Sequence, residues 1–402
     1  MLKLLPIIIV GTLALMAPGN VPEKTDVPSS TTDAWLRAEV TRAWTDAGRI
    51  APQHSTRISS AAARLLDRIE DTPAVDLPSH WSRTVRFELL REDVRDPRFL
   101  PLLFDGEDPS DLIEQLRWVL DSDLCPEGLN RYGYALRRKN GRLRLSLTLV
   151  HHLVDLSALP AEVPPGHSQL FWGTWDNGFV APRVLISSPD GGLMEMVPRE
   201  AADMFWTRLY FPEEGVYTVE VMLTGPGGPE TAALFNVYAG VQRPALPAVR
   251  LCAREEGTRT ADLEASLLSM MNRERVRHAI QPLPQDERLR RCARRHSEAM
   301  AERRLLAHWL PDPRGEDCPA ARQNIVMDRT LCGAHQQLME SPSHRRNILD
   351  KDATACGVGV SAAEVMPGVS LFYITQEFTG GGNAKARRTV EEGAAPAAPH
   401  GR

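Results

Sequence analysis

The stretch between His296 and His344 restricts the fold most, because it holds helix and strand signals in a fixed order. A helical pattern that includes His296 is followed by a polar loop and by the short strand pattern RQNIV. The step Ser341-Pro342 then starts a new helix, since serine caps helices and proline suits their first position. The strand patterns ACGVGV and LFYITQEF follow. This order predicts one α+β domain over residues 261–380.

The residues of this domain resemble the CAP superfamily, also called SCP/TAPS, in its bacterial secreted type. The family includes cysteine-rich secretory proteins, insect venom antigens and plant pathogenesis-related proteins. The resemblance covers about 120 of the 402 residues and implies an α-β-α sandwich with a cleft at the end of the sheet. The matching positions are Asn272, Arg275, Leu283, Leu289, Ala293, His296, Ser297, Met300, His308, Asn324, Ile325, the run Ser341 to Arg345, Asn347, Ile348, Leu349, the run Gly357 to Val360, Tyr373, Thr375, Gln376 and Phe378.

The resemblance also implies a cleft with two histidines and up to two glutamates, which binds zinc in some members. His308 and His344 match the histidines, Gln323 stands in place of one glutamate, and Ser341 stands in place of the other. Together with Asn324 these are the predicted cleft residues. Zinc on His308 and His344 is the cofactor considered. An amide neither titrates nor brings negative charge, so we expect weaker metal binding and no acid–base role for Gln323.

Three functions remain open at this point. The first is non-enzymatic binding of a lipid-like, peptide or cell-envelope ligand in the CAP cleft. The second is a metal- or serine-dependent hydrolase that uses His308 and His344, with Ser341 or Ser343 as the nucleophile. The third is a structural or adhesion module. Whether the chain is an enzyme is left open, and the sequence does not indicate an oligomeric state.

The N-terminus predicts export, to the cell exterior, the periplasm or the cell envelope. Residues 1–19 combine a lysine, an apolar run and small residues at the cleavage positions, as a signal peptide does, and an uncleaved anchor is the alternative. No other run is long and apolar enough to suggest a membrane span. Residues 20–32 are rich in Pro, Ser and Thr and are predicted to be a linker. The formal net charge of -5 argues against a general nucleic-acid binder.

Six cysteines lie beyond the predicted signal peptide, and an even number in an exported chain favours disulfides. Cys318 and Cys332 flank RQNIV and could close a short loop. Cys292 and Cys356 could then join a helix to a strand, which leaves Cys125 and Cys252. Six cysteines allow fifteen pairings, so this choice is one of several.

The overall expectation is an α+β multidomain chain, with two further domains before the CAP domain. Residues 33–157 predict an α+β domain that ends in a hairpin at Asn140-Gly141, a pair that favours tight turns. This hairpin has a faint likeness to the last two strands of the CAP domain. Residues 33–157 are therefore either a degenerate CAP-like duplicate or a domain with an unrelated hairpin.

Residues 158–242 alternate short strand patterns with turn clusters, which predicts an immunoglobulin-like β-sandwich. Its aromatic residues Trp172, Trp175 and Phe179 form either a sugar-stacking face or part of the core and turn packing. Residues 243–260 are predicted to be a linker. Residues 381–402 are too polar and Gly/Ala-rich to bury a core and are predicted to be disordered.

Overall fold

The structure is a computed structural model that describes residues 29–69, 81–122, 125–139, 141–175, 178–245, 259–310, 318, 320–366 and 369–380. The predicted signal peptide 1–19, the predicted tail 381–402 and Cys252 lie outside these ranges. No helix among the described residues is long and apolar enough to cross a membrane. The chain divides into two compact units, mainly residues up to 254 and mainly residues from 255.

The first part of the N-terminal unit is a four-stranded sheet between layers of helices. One sheet face packs against a helical core around Val40, Trp44 and Leu116, and the other packs against Leu65 and Val85. The strand order is β1-β3-β4-β2, with β1 parallel to β3 and the other pairs antiparallel. The elements are α1 (Ser29–Asp46), β1 (Gln53–His54), α2 (Thr56–Arg68), α3 (Trp81–Arg91), β2 (Phe99–Gly106), α4 (Pro109–Asp121), β3 (Arg131–Lys139) and β4 (Arg142–Val150).

One boundary differs from the sequence-based expectation, and one predicted turn is present. Helix α1 begins at Ser29, inside the predicted linker 20–32. Ser and Thr are common at helix N-termini, so their abundance does not by itself indicate a linker. The predicted hairpin is present, since β3 and β4 pair up to Lys139 and Arg142, with Gly141 at a φ of 78°.

The second part of the N-terminal unit consists of two sheets that share one apolar core. The sheet orders are β10-β11-β7-β5 and β6-β13-β12-β8-β9. Phe171, Phe205, Val219 and Val237 lie in the core between them. The strands are β5 (Val154–Leu156), β6 (Glu162–Val163), β7 (His167–Trp175), β8 (Val180–Ser187), β9 (Leu193–Met196), β10 (Arg199–Ala201), β11 (Met204–Phe211), β12 (Gly215–Gly225) and β13 (Gly228–Ala239).

The three aromatic residues considered for a sugar-stacking face separate in the structure. Trp175 is only 8 % exposed and lies in the core, and Phe179 packs against it. The Trp175 indole N–H donates to the Phe179 carbonyl over 2.9 Å. Trp172 points the other way and is 42 % exposed. Core packing therefore accounts for two of these residues and not for Trp172.

The C-terminal unit places an antiparallel sheet, in the order β14-β16-β15, between helices. Helices α5 and α7 pack on one face through Leu267, Met271 and Leu338. The backbone of α6 approaches the other face at Gly357. The elements are α5 (Thr260–Arg277), α6 (Glu287–Arg303), β14 (Arg322–Asp328), α7 (Leu331–Glu340), α8 (Pro342–Ile348), β15 (Ala353–Met366) and β16 (Val369–Gly380).

The predicted cysteine pairs do not form. Cys292, Cys318 and Cys356 are free thiols, as is Cys125, so the predicted bonds Cys318–Cys332 and Cys292–Cys356 are wrong. The Cys318 thiol is hydrogen-bonded to Cys292 instead, and Cys356 is buried on β15 beside the Pro284 carbonyl. Closeness in the sequence favours a bond from Cys318 to Cys332 on α7. In the structure the neighbour of Cys318 is Cys292 on α6.

The sheets of the two units share one topology. In the C-terminal unit, Gln285 forms a parallel bridge to Cys356, so the order Gln285-β15-β16-β14 matches β1-β3-β4-β2. A Cβ at Gly357 would lie 2.2 Å from the α6 backbone, and one at Gly133 would lie 2.3 Å from the α2 backbone. Both glycines directly follow the residue whose carbonyl accepts from the helix N-cap. That the two domains arose by duplication stays a prediction. A duplication would explain why the two sheets share a strand order and place a glycine against a helix backbone at the same position.

Candidate functional site

His308 is held near the sheet by the helix that precedes it. The His296 imidazole on α6 donates from Nε2 to the Ala307 carbonyl over 3.0 Å. This bond fixes the segment that carries His308, whose Nδ1 lies 2.7 Å from Gln323 Oε1. Gln323 is on β14, so the histidine is held at the edge strand of the sheet.

The Gln323 side chain joins His308 to a carboxylate. Gln323 and Glu377 are direct partners across β14 and β16, and Gln323 Nε2 donates to Glu377 Oε1 over 2.8 Å. Because the amide nitrogen faces the carboxylate, the amide oxygen faces His308. His308 must then donate from Nδ1. Its Nε2 therefore carries the lone pair and is the nitrogen that can accept a proton or a ligand.

Glu377 is the residue that sequence reasoning missed. It is buried, at 5 % exposure, and supplies the negative charge that the sequence appeared to lack. The charge does not reach a histidine directly, because Gln323 lies between Glu377 and His308. The only available signal was register, since Gln323 and Glu377 become neighbours once β14 and β16 are aligned.

His344 lies in the first turn of α8 and is held through its backbone. Its N–H donates to the N-cap side chain of Ser341 over 3.4 Å, and its carbonyl accepts from Asn324 Nδ2 over 3.1 Å. Asn324 is fully buried and also accepts from Asn347 over 2.8 Å. Two of the predicted cleft residues, Ser341 and Asn324, therefore position His344.

Burial keeps both imidazoles neutral. Loss of hydration lowers the pKa of His344 to about 4. It also lowers the pKa of His308 to about 4, where the bond from Gln323 opposes the shift and the nearby His344 and His296 add to it. At neutral pH the cleft thus presents two uncharged imidazoles that are close enough to interact.

The serine hydroxyls near the histidines are engaged with other groups. Ser341 and Ser343 are buried and lie 3.1 Å apart, oxygen to oxygen. Ser297 donates to Gly359 O over 3.0 Å and lies 2.9 Å from the Thr375 hydroxyl. Among the described residues no serine hydroxyl is hydrogen-bonded to His308 or His344. The geometry therefore lacks the serine–histidine bond that activates a nucleophile.

Among the described residues, the donors near His308 and His344 are one ligand short of a zinc site. Neutral imidazoles are suitable ligands, but a protein zinc site needs at least three protein donors. Within the described ranges no group of three His, Cys, Asp or Glu side chains could hold a metal. Glu377 bonds through Oε1 to Gln323, which lies between this carboxylate and His308. Zinc on His308 and His344 therefore stays a prediction, for which the described residues supply two imidazoles and no third ligand.

Two other motif residues brace the domain. The Asn272 side chain forms two hydrogen bonds with the Leu283 backbone, at 2.8 and 3.0 Å. Arg275 is 1 % exposed and donates to the carbonyls of Ile348 and Asp350, at 2.7 and 2.8 Å. These bonds tie α5 to the chain after α8, so both residues act on the fold rather than in the cleft.

An open groove of ≈ 600 Å³ runs along the outer side of α5. Leu268, Val276 and Pro282 form its apolar lining, and Arg273 and Arg277 lie beside them. Val276 is 59 % exposed, so the lining is accessible to solvent. The groove has the composition to take an apolar chain with a negatively charged end.

Comparison with known proteins identifies the C-terminal domain. Residues 268–378 match the model of the CAP family, described as the cysteine-rich secretory protein family. No curated protein sequence matches the chain significantly. Three solved structures are similar to it, namely an outer surface protein from Borrelia burgdorferi, an extracellular protein with an SCP domain from Bacillus anthracis, and a cysteine-rich secretory protein from Staphylococcus aureus.

These three structural likenesses are weak. The Borrelia protein is 16 % identical, with 33 % of this chain and 100 % of that chain covered and a TM-score of 0.26. The Bacillus protein is 14 % identical, with 42 % and 65 % covered and a TM-score of 0.25. The Staphylococcus protein is 9 % identical, with 72 % and 88 % covered and a TM-score of 0.22. Scores this low add nothing to the family match.

Proposed function

We propose, from the CAP domain that residues 268–378 form, that this chain is an exported protein that binds an apolar or lipid-like ligand without chemical turnover. The observation that carries the proposal is the open apolar groove along α5. The bridge through Gln323, which bonds His308 Nδ1 on one side and Glu377 on the other, is the reason to propose binding without turnover. The amide cannot exchange a proton, so it separates the His308 imidazole from the Glu377 carboxylate.

The groove along α5 supports a ligand of this class. Its lining of Leu268, Val276 and Pro282 would gain free energy by covering an acyl chain, because apolar area leaves water. Arg277 is exposed at its rim and shares its charge with Glu274, at 2.6 Å. An anionic head group would compete for that arginine.

The test is binding of a fluorescent fatty acid, cis-parinaric acid, to the full chain and to a Val276→Asp variant. A charge at this exposed position should weaken binding about tenfold or more, since it puts a carboxylate beside both the acyl chain and the anionic head. Val216→Asp is the matched control, because Val216 is also exposed, on β12. Equal binding by wild type and Val276→Asp would remove the groove from the proposal, and no binding by wild type would end it.

A hydrolase is the second candidate, and the lone pair on His308 Nε2 is the observation in its favour. Glu377 and Gln323 together fix the tautomer of His308, which leaves Nε2 ready to accept a proton. Peptidase and esterase assays on the full chain decide this candidate. Activity that survives in a His308→Ala/His344→Ala double variant would exclude these histidines as its source.

A further inference from the structure

The outer face of the sheet β10-β11-β7-β5 exposes a compact group of large side chains. Strands β7 and β11 turn Phe171, Phe205 and Leu209 into the core, and Trp206 between the two β11 residues is half-buried. Their neighbours must therefore point outward. The outward residues on the two strands are Leu170, Trp172, Met204, Trp206, Arg208 and Tyr210.

The strand register places the two outward tryptophans opposite each other. Trp172 pairs with Trp206 and Leu170 pairs with Arg208 across β7 and β11. On the other side of β11, Arg199 of β10 pairs with Trp206. Side chains of direct cross-strand partners lie about 5 Å apart at Cβ, so Arg199, Trp206 and Trp172 form one row. Arg208 lies in the next row, diagonal to Arg199.

This face is open to solvent although it is rich in aromatic and apolar groups. Trp172, Leu170, Tyr210 and Met204 are between 41 % and 51 % exposed. Isolated apolar residues on a surface need no explanation, but a contiguous group of this kind marks an interaction site. We call the face formed by Trp172, Trp206, Arg199 and Arg208 the tryptophan platform.

The charges of the platform identify what it would bind. In the part of the chain that the structure describes, neither Arg199 nor Arg208 has a carboxylate within ion-pair distance. By contrast, Arg183 in the same sandwich is paired with Glu195. Asp155, at the β5 edge of this face, is bonded to His152. The platform therefore presents two exposed guanidinium groups beside two indoles, a combination that suits an anionic ligand.

We propose that the tryptophan platform binds an acidic polysaccharide, a polymer of sugars that carry carboxylates. The C–H faces of pyranose rings are apolar and flat, so they pack on indole rings. Guanidinium groups bind carboxylates in a bidentate manner, which fits uronate groups along such a polymer. The row of Trp172 and Trp206 would hold successive sugar rings, and Arg199 and Arg208 would hold their carboxylates.

Single-stranded nucleic acid is the other polymer that stacks on aromatic side chains, and the charges disfavour it. Such binding needs a basic groove that follows the phosphate backbone. The platform offers two arginines among apolar and aromatic side chains, which is too few to follow a phosphate backbone. The proposal concerns the sandwich alone and is independent of ligand binding by the CAP domain.

The experiment is isothermal titration calorimetry of the full chain with three probes: hexagalacturonate, neutral maltohexaose and a dT hexamer. Two double variants are compared, Trp172→Ala/Trp206→Ala and Arg199→Gln/Arg208→Gln. The matched controls are Trp118→Ala, because Trp118 is 43 % exposed on α4, and Arg142→Gln, because Arg142 is exposed on β4. The single variant Trp172→Ala replaces the tryptophan pair if the latter does not fold.

We expect wild type and both controls to bind hexagalacturonate, and each platform variant to bind it about tenfold more weakly or worse. Maltohexaose should bind more weakly than hexagalacturonate, because it has no carboxylate for the arginines. Undiminished hexagalacturonate binding in either platform variant would overturn the proposal, as would no binding by wild type. Preference for maltohexaose or for the dT hexamer would overturn it as well.

Discussion

The Gln323 side chain decides which chemistry the cleft of the CAP domain can perform. It joins an imidazole to a carboxylate, and it holds His308 in the tautomer that leaves Nε2 with its lone pair. A glutamate at this position would change both features, since it would place a negative oxygen on the imidazole itself.

The first prediction is that Gln323→Glu creates a zinc site. The variant would offer two neutral imidazoles and a carboxylate, which is the minimum protein donor set. We expect the wild type to bind zinc weakly, and the variant at least about tenfold more tightly, in calorimetric titrations. Adding His344→Ala to the variant should remove the gain. Equal zinc affinity in the wild type and in Gln323→Glu would contradict the argument that the wild type is short of one protein ligand.

The second prediction concerns stability in acid. The folded pKa of His308 and of His344 is about 4, below the ordinary value of 6.5. Between pH 6.5 and 4 the unfolded chain binds more protons than the folded one, so stability is lost as pH falls through this window. Each histidine contributes up to about 1.4 kcal/mol per pH unit there.

Urea unfolding of the C-terminal unit at several pH values between 7 and 4 checks this. His344→Gln should flatten the pH dependence by about one proton. His278→Gln is the control, because His278 is exposed at the end of α5. If the two variants show the same slope, His344 does not titrate as its burial requires.

At the scale of single residues, the sequence located the histidines but not their environment. His308, Gln323 and His344 were found because they belong to local strings with a recognisable order. Glu377 was not found, because its role depends on alignment with a strand more than 50 residues away. Asn324 was expected to line the cleft, but it is buried as a brace for His344.

At the scale of elements, two glycines set how closely a helix can approach its sheet. The third prediction is that Gly133→Ala and Gly357→Ala each lower the free energy of unfolding by about 1–3 kcal/mol. The added Cβ would lie 2.3 Å and 2.2 Å from helix backbone atoms, so the helix must move. Thermal unfolding measures the loss. Ala355→Ser, an addition of one atom on β15, is the control.

If the two sheets have a common origin, Gly133→Ala and Gly357→Ala should lower the free energy of unfolding by similar amounts. If Gly133→Ala were neutral while Gly357→Ala destabilised, the correspondence between the units would not extend to their packing. The sequence suggested this relation only through the Gly-bearing strands. Strand β1 is two residues long and the bridge at Gln285 is a single residue, and neither is visible as a pattern.

The fourth prediction concerns the thiols of Cys292 and Cys318. They are in hydrogen-bonding contact between α6 and the segment before β14, so oxidised glutathione should join them first. Burial raises the pKa of Cys318 to about 12, so the reaction should be faster at pH 9 than at pH 7. Peptide mapping by mass spectrometry identifies the product. Cys356, which is fully buried, should stay reduced, and its earlier oxidation would contradict the assignment.

At the scale of the whole molecule, the sequence predicts residues 33–157 and 158–242 as two domains, and this division stays a prediction. Both ranges lie in the same compact unit. Strand β5 lies within the first range and pairs with β7 of the sandwich. Contacts of this kind join residues far apart in sequence, so local patterns do not reveal them.

Arg95 is the residue that most clearly joins these two parts. It is 8 % exposed, its guanidinium lies 4.2 Å from the centre of the Phe235 ring, and it donates to Leu159 O over 2.8 Å. Its own carbonyl accepts from Leu234 N over 2.9 Å. A buried guanidinium with partners on the sandwich side stabilises the junction only while both parts are folded.

The fifth prediction follows from that dependence. Arg95→Met should cost about 2 kcal/mol, because it leaves the Leu159 carbonyl without its donor and removes the contact with Phe235. It should also split the unfolding of the N-terminal unit, by calorimetry, from one transition into two. Arg98→Gln is the control, because the half-buried pair Arg98–Glu230 crosses the same junction and contributes about 1 kcal/mol or less. A single transition with an unchanged midpoint in Arg95→Met would mean that apolar packing alone couples the two parts.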